Sequence, residues 1–592
     1  MTNLEIAKLL RNVAAAYTVR DEGKFRFQIM AYERVADAIE HATSEVKDIW
    51  EDGKLGSIPG LGASIIAHLD ELFKTGKVKH FQKLLRGLPG AMFVLLDIPG
   101  FGPKRAYKLV KELDIKNPTS AIGDLEKAAK QGKIRVLEGF GEKSEVDILE
   151  GIVRFRAREA KLTRMSLPYA YEIAQRVLTY LKKSPDVIRA DPLGSLRRMV
   201  ATVGDIDIAI STKNPKEVLN YFVKYPSRRV LEKGEATSSL ILENGHQVDL
   251  MVQSPQSYGA LLQHFTGSKN HNIHLREIAL QKGMSLSEYG IKVEGKLQEY
   301  TTEEDFYHAL GMDFIPPELR EDTGEIEAAL RQAWGKPGGL PKLVELKDIK
   351  GDLHIHSDFN LEPSHDLGAD SMEKMVKKAK SLNYQYLVFS EHNPSVTKHT
   401  ENQILAIMKK RNDKIEQLNK SIKSVRIIKM LEVDILADGK LSMSNEILKD
   451  LDGAIASIHS SFNQPKGRMT SRVLGALQNP YVRIFGHPTG RLLGKRESYE
   501  LDWEKIFEFC LKYQKALEIN AWPDRLDLPD TLVREAVKRR IKMIISTDAH
   551  AVHEMDLMPY GVAVARRGWA EKNDILNTLE YNDLIRWLHK RN

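Results

Sequence analysis

Residues 348–592 constrain the fold most. Seven apolar, strand-like runs at 350–356, 385–391, 426–433, 453–459, 483–487, 516–520 and 542–547 alternate there with helical segments. Such alternation predicts parallel βα units, and seven of them predict a barrel-like domain. Chemistry in βα barrels collects at the C-terminal ends of the strands. In this chain those ends carry His354 and His356, then Glu391 with His392, then Glu432, His459, His487, Asn520, and finally Asp548 with His550. A lone histidine is ordinarily a satisfied core residue, but a polar or metal-binding type at every strand end predicts one constellation. Imidazole mixed with carboxylate suits Zn²⁺, Mn²⁺ or Fe²⁺ rather than Ca²⁺. There are more candidate ligands than one ion can use, so two or three ions are expected.

The remaining sequence needs other cores. At 592 residues, a prior of ~150 residues per domain asks for about four units. The 42% hydrophobic and 29% charged fractions exclude disordered, collagen-like and membrane classes. Basic residues outnumber acidic ones 88 to 81, a net +7 that permits a polyanionic partner without requiring one. The one cysteine, Cys510, excludes a disulfide framework and a thiolate zinc cluster, which suits a reducing compartment. Ile6, Leu9, Leu10, Val13 and Tyr17 fall at helical spacing rather than in a signal-peptide core, and no run approaches the ~20 apolar residues of a membrane span. A cytoplasmic protein with no membrane partner is expected.

The first ~165 residues read as short amphipathic helices separated by glycine turns. Ile58-Pro59-Gly60-Leu61-Gly62 recurs as Ile98-Pro99-Gly100-Phe101-Gly102, with a weaker echo at Leu137-Glu138-Gly139-Phe140-Gly141. Glycines before a helix let a phosphate approach the free amides of the first turn. Two close copies, the second followed by Lys104 and Arg105, favour a helix-hairpin-helix that binds DNA backbone through Gly60, Gly62, Gly100, Gly102 and Lys104. A single copy could be only a tight turn.

Residues 204–210, Gly-Asp-Ile-Asp-Ile-Ala-Ile, alternate strictly, so Ile206, Ile208 and Ile210 share one face and Asp205 with Asp207 share the other. His246 to Val252 repeats the design around Asp249. Adjacent carboxylates on apolar strands repel unless a cation lies between them. Three of them can hold two Mg²⁺ ions, with Mn²⁺ as a substitute, for a phosphoryl-type transfer. Upstream, Gly194-Ser195-Leu196-Arg197-Arg198 supplies a turn, a hydroxyl and fixed cations.

Gly-Ser followed by Gly-Asp-x-Asp resembles the nucleotidyltransferase superfamily. With the helix-hairpin-helix pairs and Phe265-Thr266-Gly267-Ser268, the resemblance narrows to family X DNA polymerases of the polymerase beta type. It implies that Asp205 and Asp207 bind both metals and that Asp249 helps activate the primer 3′-hydroxyl. Gly194, Ser195, Arg198 and Gly204 would hold the triphosphate, while Phe265, Gly267, Asn272 and Arg276 would contact the nucleotide and the template minor groove. His264 stands where that pattern has tyrosine, and Met199 where glycine is usual. His68 replaces the lysine that forms a Schiff base with deoxyribose phosphate, and Ser64 a phosphate-binding lysine, so no lyase activity by that route is expected.

The C-terminal pattern resembles the PHP (polymerase and histidinol phosphatase) domain. The resemblance implies a ligand set of His354, His356, His392, Glu432, His459, His487, Asp548 and His550. The third ligand is His365 or Asp366 on a long loop, with Asp366 preferred. Glu391 replaces the usual aspartate before the second-strand histidine.

Together the motifs resemble bacterial and archaeal family X polymerases with a PHP domain. The expected fold is multidomain α+β and α/β: helix-hairpin-helix modules at 1–85 and 86–165, a mixed-sheet nucleotidyltransferase palm at 166–260, a thumb at 261–320, a linker at 321–347 and a distorted seven-stranded PHP barrel at 348–592. The implied function is gap filling in DNA repair with a 3′–5′ exonuclease or 3′-end processing activity, acting as a monomer on gapped or primer-template DNA and deoxynucleoside triphosphates. Two alternatives stay open: a DNA-binding module fused to a small-molecule phosphatase, and a DNA-end-binding scaffold.

Overall fold

The computed structural model describes residues 1–590 except 2, 41–45, 52, 54, 58–60, 99–100, 160–163, 334–338 and 364. The chain separates into two compact units, Met1–Arg164 and Met165–Asn592. The first is helical and has two apolar cores. Residues from Ile6 to Leu84 form one, and residues from Ala91 to Phe155, with Ala15, form the other. Gly62 caps helix α1 (Ala63–Thr75) and Gly102 caps α2 (Pro103–Glu112), where Pro103 fits the first turn because its missing N–H has no intrahelical partner to lose.

In the second unit, a five-stranded sheet is ordered β1 (Arg189–Pro192), β2 (Ile206–Ser211), β5 (Gln247–Gln253), β4 (Thr237–Ile241) and β3 (Arg229–Lys233). β2 and β5 pair in parallel and the other neighbours are antiparallel. Ile206, Ile208, Ile210, Val248 and Leu250 are wholly buried on the face that packs into the core. Helices α3 (Tyr258–Thr266) and α4 (Lys269–Gln281) follow, and then a three-stranded antiparallel sheet at 284–298.

Segment 321–347, expected to be a linker, is packed where it is described. The amphipathic helix Glu325–Ala333 buries Ile326 and Ala329 in the thumb core, and Trp569 of the barrel joins the same core. Leu343 forms an antiparallel bridge with Glu571, and the Val344 amide donates to the Ala570 carbonyl at 3.0 Å.

The barrel consists of two parallel sheets, β6 (Gly351–Ile355), β7 (Tyr386–Phe389) and β8 (Arg426–Lys429), then β9 (Glu432–Asp434), β10 (Ala454–Ser457), β11 (Val482–Phe485), β12 (Ala516–Asn520) and β13 (Met543–Ser546). Parallel bridges His392–Glu432 and Ile355–Ala549 close the ring. The run expected as one strand at 426–433 is two, because the backbone changes partners. The Met430 amide donates to Phe389 in the first sheet, while the Leu431 carbonyl accepts from Ile455 in the second. Most of the strands are buried throughout, as expected of parallel strands covered on both faces.

Two candidate active sites

The parallel register sets Asp207 directly opposite Asp249, and Asp205 precedes β2 on the same side. Carboxylate oxygens of all three lie within 4.8 Å of one another, with Asp205 exposed and the others half-buried. Burial, then the charges of Asp205 and Asp249, push the Asp207 carboxyl up to about 7, against the pull of Arg198. Such a cluster has cation affinity built into its repulsion. Gly194 adjoins it at φ +57, where a Cβ would lie 2.5 Å from Asp207 Oδ2. Only glycine fits there without displacing the carboxylate.

Arg198 Nε donates to Glu321 Oε1 at 3.0 Å, and its Nη1 donates to the Thr266 carbonyl at 2.5 Å. Gly267 lies beside it, a Cβ there being 3.1 Å from Arg198 Nη1. Arg197 takes the buried Glu303 instead. Asn272 is braced by Gln263 and by the His264 carbonyl, while Arg276 is exposed on α4. Phe265 is half-buried, its ring 4.8 Å from that of His264. Gly204, immediately before Asp205, and Ser195, immediately after Gly194, are both half-buried.

The barrel mouth gathers a larger set. Glu432 is its centre. Oε1 lies 3.0 Å from His487 Nε2 and 3.2 Å from His459 Nε2, and Oε2 lies 2.8 Å from His392 Nδ1 and 3.4 Å from His354 Nε2. His354 and His356 bring their Nε2 atoms to 3.1 Å, and His356 Nε2 lies 3.1 Å from Asp548 Oδ1. The His550 ring stacks on His356 with centroids 4.1 Å apart. Overlapping trios, His356–His392–His550, His354–His356–Glu432, His392–Glu432–His459 and His365–Asp434–His459, each hold ligand atoms within 4.8 Å.

These donors fit metal ions. His392 Nδ1 and Glu432 Oε2 face each other at 2.8 Å, yet each is buried without a hydrogen-bond partner. Two orphaned groups aimed together are costly unless a cation takes both. Burial opposes charge on His459, but Glu432 and Asp434 hold it up at about 9, whereas burial and Arg525 push His487 down to about 4. His487 and Asp548 also hold left-handed backbone, φ +25 and +54, a strain that recurs where side chains are aimed at chemistry.

Asp366 is exposed, while His365 Nε2 lies 3.1 Å from both Asp434 oxygens. The candidate ligand is therefore His365, and the correction follows from the loop's path, which no strand period sets. Asp434, absent from the expected set, lies two residues after Glu432, where strand alternation returns to the same face. Glu518 was missed as well. Its Oε1 accepts from His354 Nδ1 at 2.7 Å and from Ser546 Oγ at 2.5 Å, and its other oxygen accepts from the His487 backbone amide, so it aims the His354 imidazole and anchors the backbone that carries His487. Its signal was a lone glutamate sharing a face with Asn520 in an apolar strand. Asn520 donates to Asp548 Oδ2 at 3.0 Å. Glu391 turns away from the cluster to Arg411, at 2.6 Å.

In the helical unit, Gly60 and Gly100 lie outside the described residues. Gly62 and Gly102 have extended rather than left-handed backbone, and a Cβ at either would meet nothing within 4 Å. Unusual backbone angles are thus not their reason. The weaker echo does use one, Gly139 at φ +80. Lys104 is exposed and paired with Glu22 at 2.7 Å. His68 is half-buried, hydrogen-bonded to Tyr32 and stacked on His80, and burial followed by His80 lowers its pKa.

Parts of the chain match known families. Family models match at residues 1–78 (helix-hairpin-helix domain), 261–321 (DNA polymerase beta thumb) and 352–521 (PHP domain). The DNA polymerase/3′-5′ exonuclease PolX of Bacillus subtilis strain 168 is 34% identical over 597 residues, covering all of both chains. DNA polymerase lambda of Rattus norvegicus is 24% identical over 54% of this chain and 56% of its own. A probable phosphatase of Thermoanaerobacter sp. strain X514 is 25% identical over 38% of this chain and 89% of its own. Among the described residues no helix is long and apolar enough to cross a membrane. With an end-to-end relative, a polymerase thumb and a PHP barrel, the chain belongs to the bacterial family X DNA polymerases that carry a C-terminal PHP domain, metal-dependent enzymes that act on DNA and nucleotides.

Proposed function

We propose that the chain fills short gaps in damaged DNA at the aspartate cluster and trims 3′ ends by 3′–5′ exonucleolysis at the barrel mouth. The observation that carries the synthetic half is the three carboxylates within 4.8 Å on paired strands. Asp205 and Asp207 hold two divalent ions, Mg²⁺ with Mn²⁺ as a substitute, and Asp249 draws the proton from the primer 3′-hydroxyl. That oxygen bonds to the α-phosphorus of a deoxynucleoside triphosphate as the bond to pyrophosphate breaks. Gly194, Ser195, Arg198 and Gly204 cradle the triphosphate, and Phe265, Gly267, Asn272 and Arg276 border the nascent pair. Gly62, Gly102 and Lys104 face the DNA backbone, the open space over both glycines leaving room for phosphate.

In the barrel, His354, His356, His365, His392, Glu432, Asp434, His459, His487, Asp548 and His550 hold two or three Mn²⁺, Zn²⁺ or Fe²⁺ ions. When bound, the ions at both sites supply Lewis acidity and neutralise charge on the reacting phosphate. Both sites lie in one chain, so a monomer suffices, working in the cytoplasm where DNA is at hand. His68 offers no amine for an imine, so deoxyribose phosphate is not removed by that route.

Gapped-DNA assays test the division. Asp249→Ala should abolish extension and spare digestion, and His354→Ala should do the reverse. Extension by Asp249→Ala would refute the assignment. The small-molecule phosphatase alternative would show as preference for a phosphate monoester over labelled single-stranded DNA, and the scaffold alternative as binding with neither activity.

A further inference from the structure

Arg198 is held in part by a residue of the barrel. The oxygen of Glu321 that accepts from Arg198 Nε also accepts from Arg567 Nη1, at 2.9 Å. The same Nη1 donates to the Arg198 carbonyl at 2.8 Å. Arg567 is the last residue of barrel helix α5 (Met558–Arg567) and is 8% exposed. Asp530 fixes its other edge, 2.7 Å from Nε and 2.6 Å from Nη2. A planar guanidinium clamped on both edges is a rigid strut, which a lysine could not reproduce. The next residue back, Arg566, joins the same helix to Glu318 at 2.7 Å and to the Val344 carbonyl at 3.2 Å.

We propose that Arg567 and Glu321 are positioning residues for nucleotide binding: through them the barrel presets the Arg198 guanidinium, so the incoming triphosphate meets a cation already in place. The inference rests on the assignment of Arg198 to the triphosphate. The strut reaches Arg198 through its carbonyl and through Glu321, so the role is orientation rather than contact. Its loss should weaken nucleotide capture and leave the chemical step of bound substrate nearly unchanged.

The test is steady-state gap filling by the full-length protein, with exonuclease activity measured on each preparation as a fold check. Arg198→Ala sets the scale and should raise the KM for deoxynucleoside triphosphate most. Arg567→Gln and Glu321→Gln should each raise KM about tenfold with kcat within about twofold. Arg566→Gln, which cuts a neighbouring domain contact, should leave KM unchanged. In the double variant Arg198→Ala/Arg567→Gln the second change should add almost nothing, because its route runs through the first. If Arg198→Ala raises KM and Arg567→Gln and Glu321→Gln do not, the strut is refuted while the nucleotide site stands. If Arg198→Ala leaves KM unchanged, the assignment beneath it fails. Equal effects from Arg566→Gln and Arg567→Gln would reduce the strut to general loosening of the interface and overturn it. Should Arg567→Gln fold poorly, Glu321→Gln, which keeps the shape and removes the charge, decides alone.

Discussion

The palm and the barrel both gather metal-binding side chains at the ends of parallel strands, yet they build opposite kinds of site. The palm offers three carboxylates, one exposed and two half-buried, with no imidazole in the cluster. The barrel offers carboxylates and imidazoles that share partners, and Glu432, His354, His356 and His487 are buried. Hard oxygen ligands on an open rim suit ions that arrive with a nucleotide and leave with pyrophosphate. Nitrogen-rich ligands in a closed mouth suit resident ions that stabilise the fold they occupy. One chain thus pairs two candidate metal sites of opposite character, an open cluster of carboxylates and a closed, imidazole-rich one.

The largest effect expected from this contrast follows removal of Glu432, whose two oxygens touch four imidazoles. Glu432→Gln should cut exonuclease activity by at least about a hundredfold and lower the bound transition-metal content of the purified protein. Gap filling with added Mg²⁺ should persist. Retained metal content, measured by elemental analysis, would break the distinction between resident and transient ions. Next comes Glu518→Gln, which leaves every proposed ligand in place but loosens the aim of His354 and the backbone anchor of His487. It should lower exonuclease activity about 10–100-fold, the usual loss when a ligand's outer partner is removed, and spare polymerisation. An unchanged exonuclease rate would show that the barrel orients its imidazoles without Glu518.

The palm should respond to pH instead. The ordinary carboxyl value of 3.8 is raised to about 7 at Asp207, by burial first and then by its two acidic neighbours. A raised folded value means that the metal-free folded chain holds this proton more tightly than the unfolded chain does. The stability this group contributes is therefore complete below its ordinary value and is lost as pH rises towards about 7. Mg²⁺ must displace that proton, so the Mg²⁺ concentration needed for extension should rise about tenfold per unit as pH falls below about 7. Titrating Mg²⁺ between about pH 6 and 8 checks the sign. A flat dependence would mean that the cluster is ionised before metal arrives.

How much of this was legible in sequence differs between the same two regions. Strand alternation placed Asp205, Asp207 and Asp249 on one face, and the parallel register brings Asp207 and Asp249 opposite. In the barrel, the histidines and carboxylates at the strand ends followed from the βα pattern, although Asp434, on β9 itself, did not. His365 did not, because it sits on a loop whose path depends on the finished barrel. The split of 426–433 was hidden because an unbroken apolar run looks the same whether it keeps one partner sheet or changes to another. The strut from Arg567 to Arg198 joins residues far apart in sequence, and no local pattern signals such a pair.

Backbone strain gives the last and smallest separation. In the barrel, His487 and Asp548 hold left-handed backbone and are themselves proposed ligands, so the strain cannot be relieved without losing chemistry. In the palm the strained residue is Met199, at φ +55, immediately after Arg198. This explains why glycine is usual there: the position asks for a conformation that a side chain disfavours by roughly 1–2 kcal/mol. Met199 offsets part of that by packing, half-buried, against the apolar core. Met199→Gly should therefore change stability by less than about 1 kcal/mol, visible as a shift of a few degrees at most in Tm, with gap-filling kcat within about twofold. A loss well beyond that would show that the Met199 side chain, rather than the turn it occupies, holds Arg198 in place.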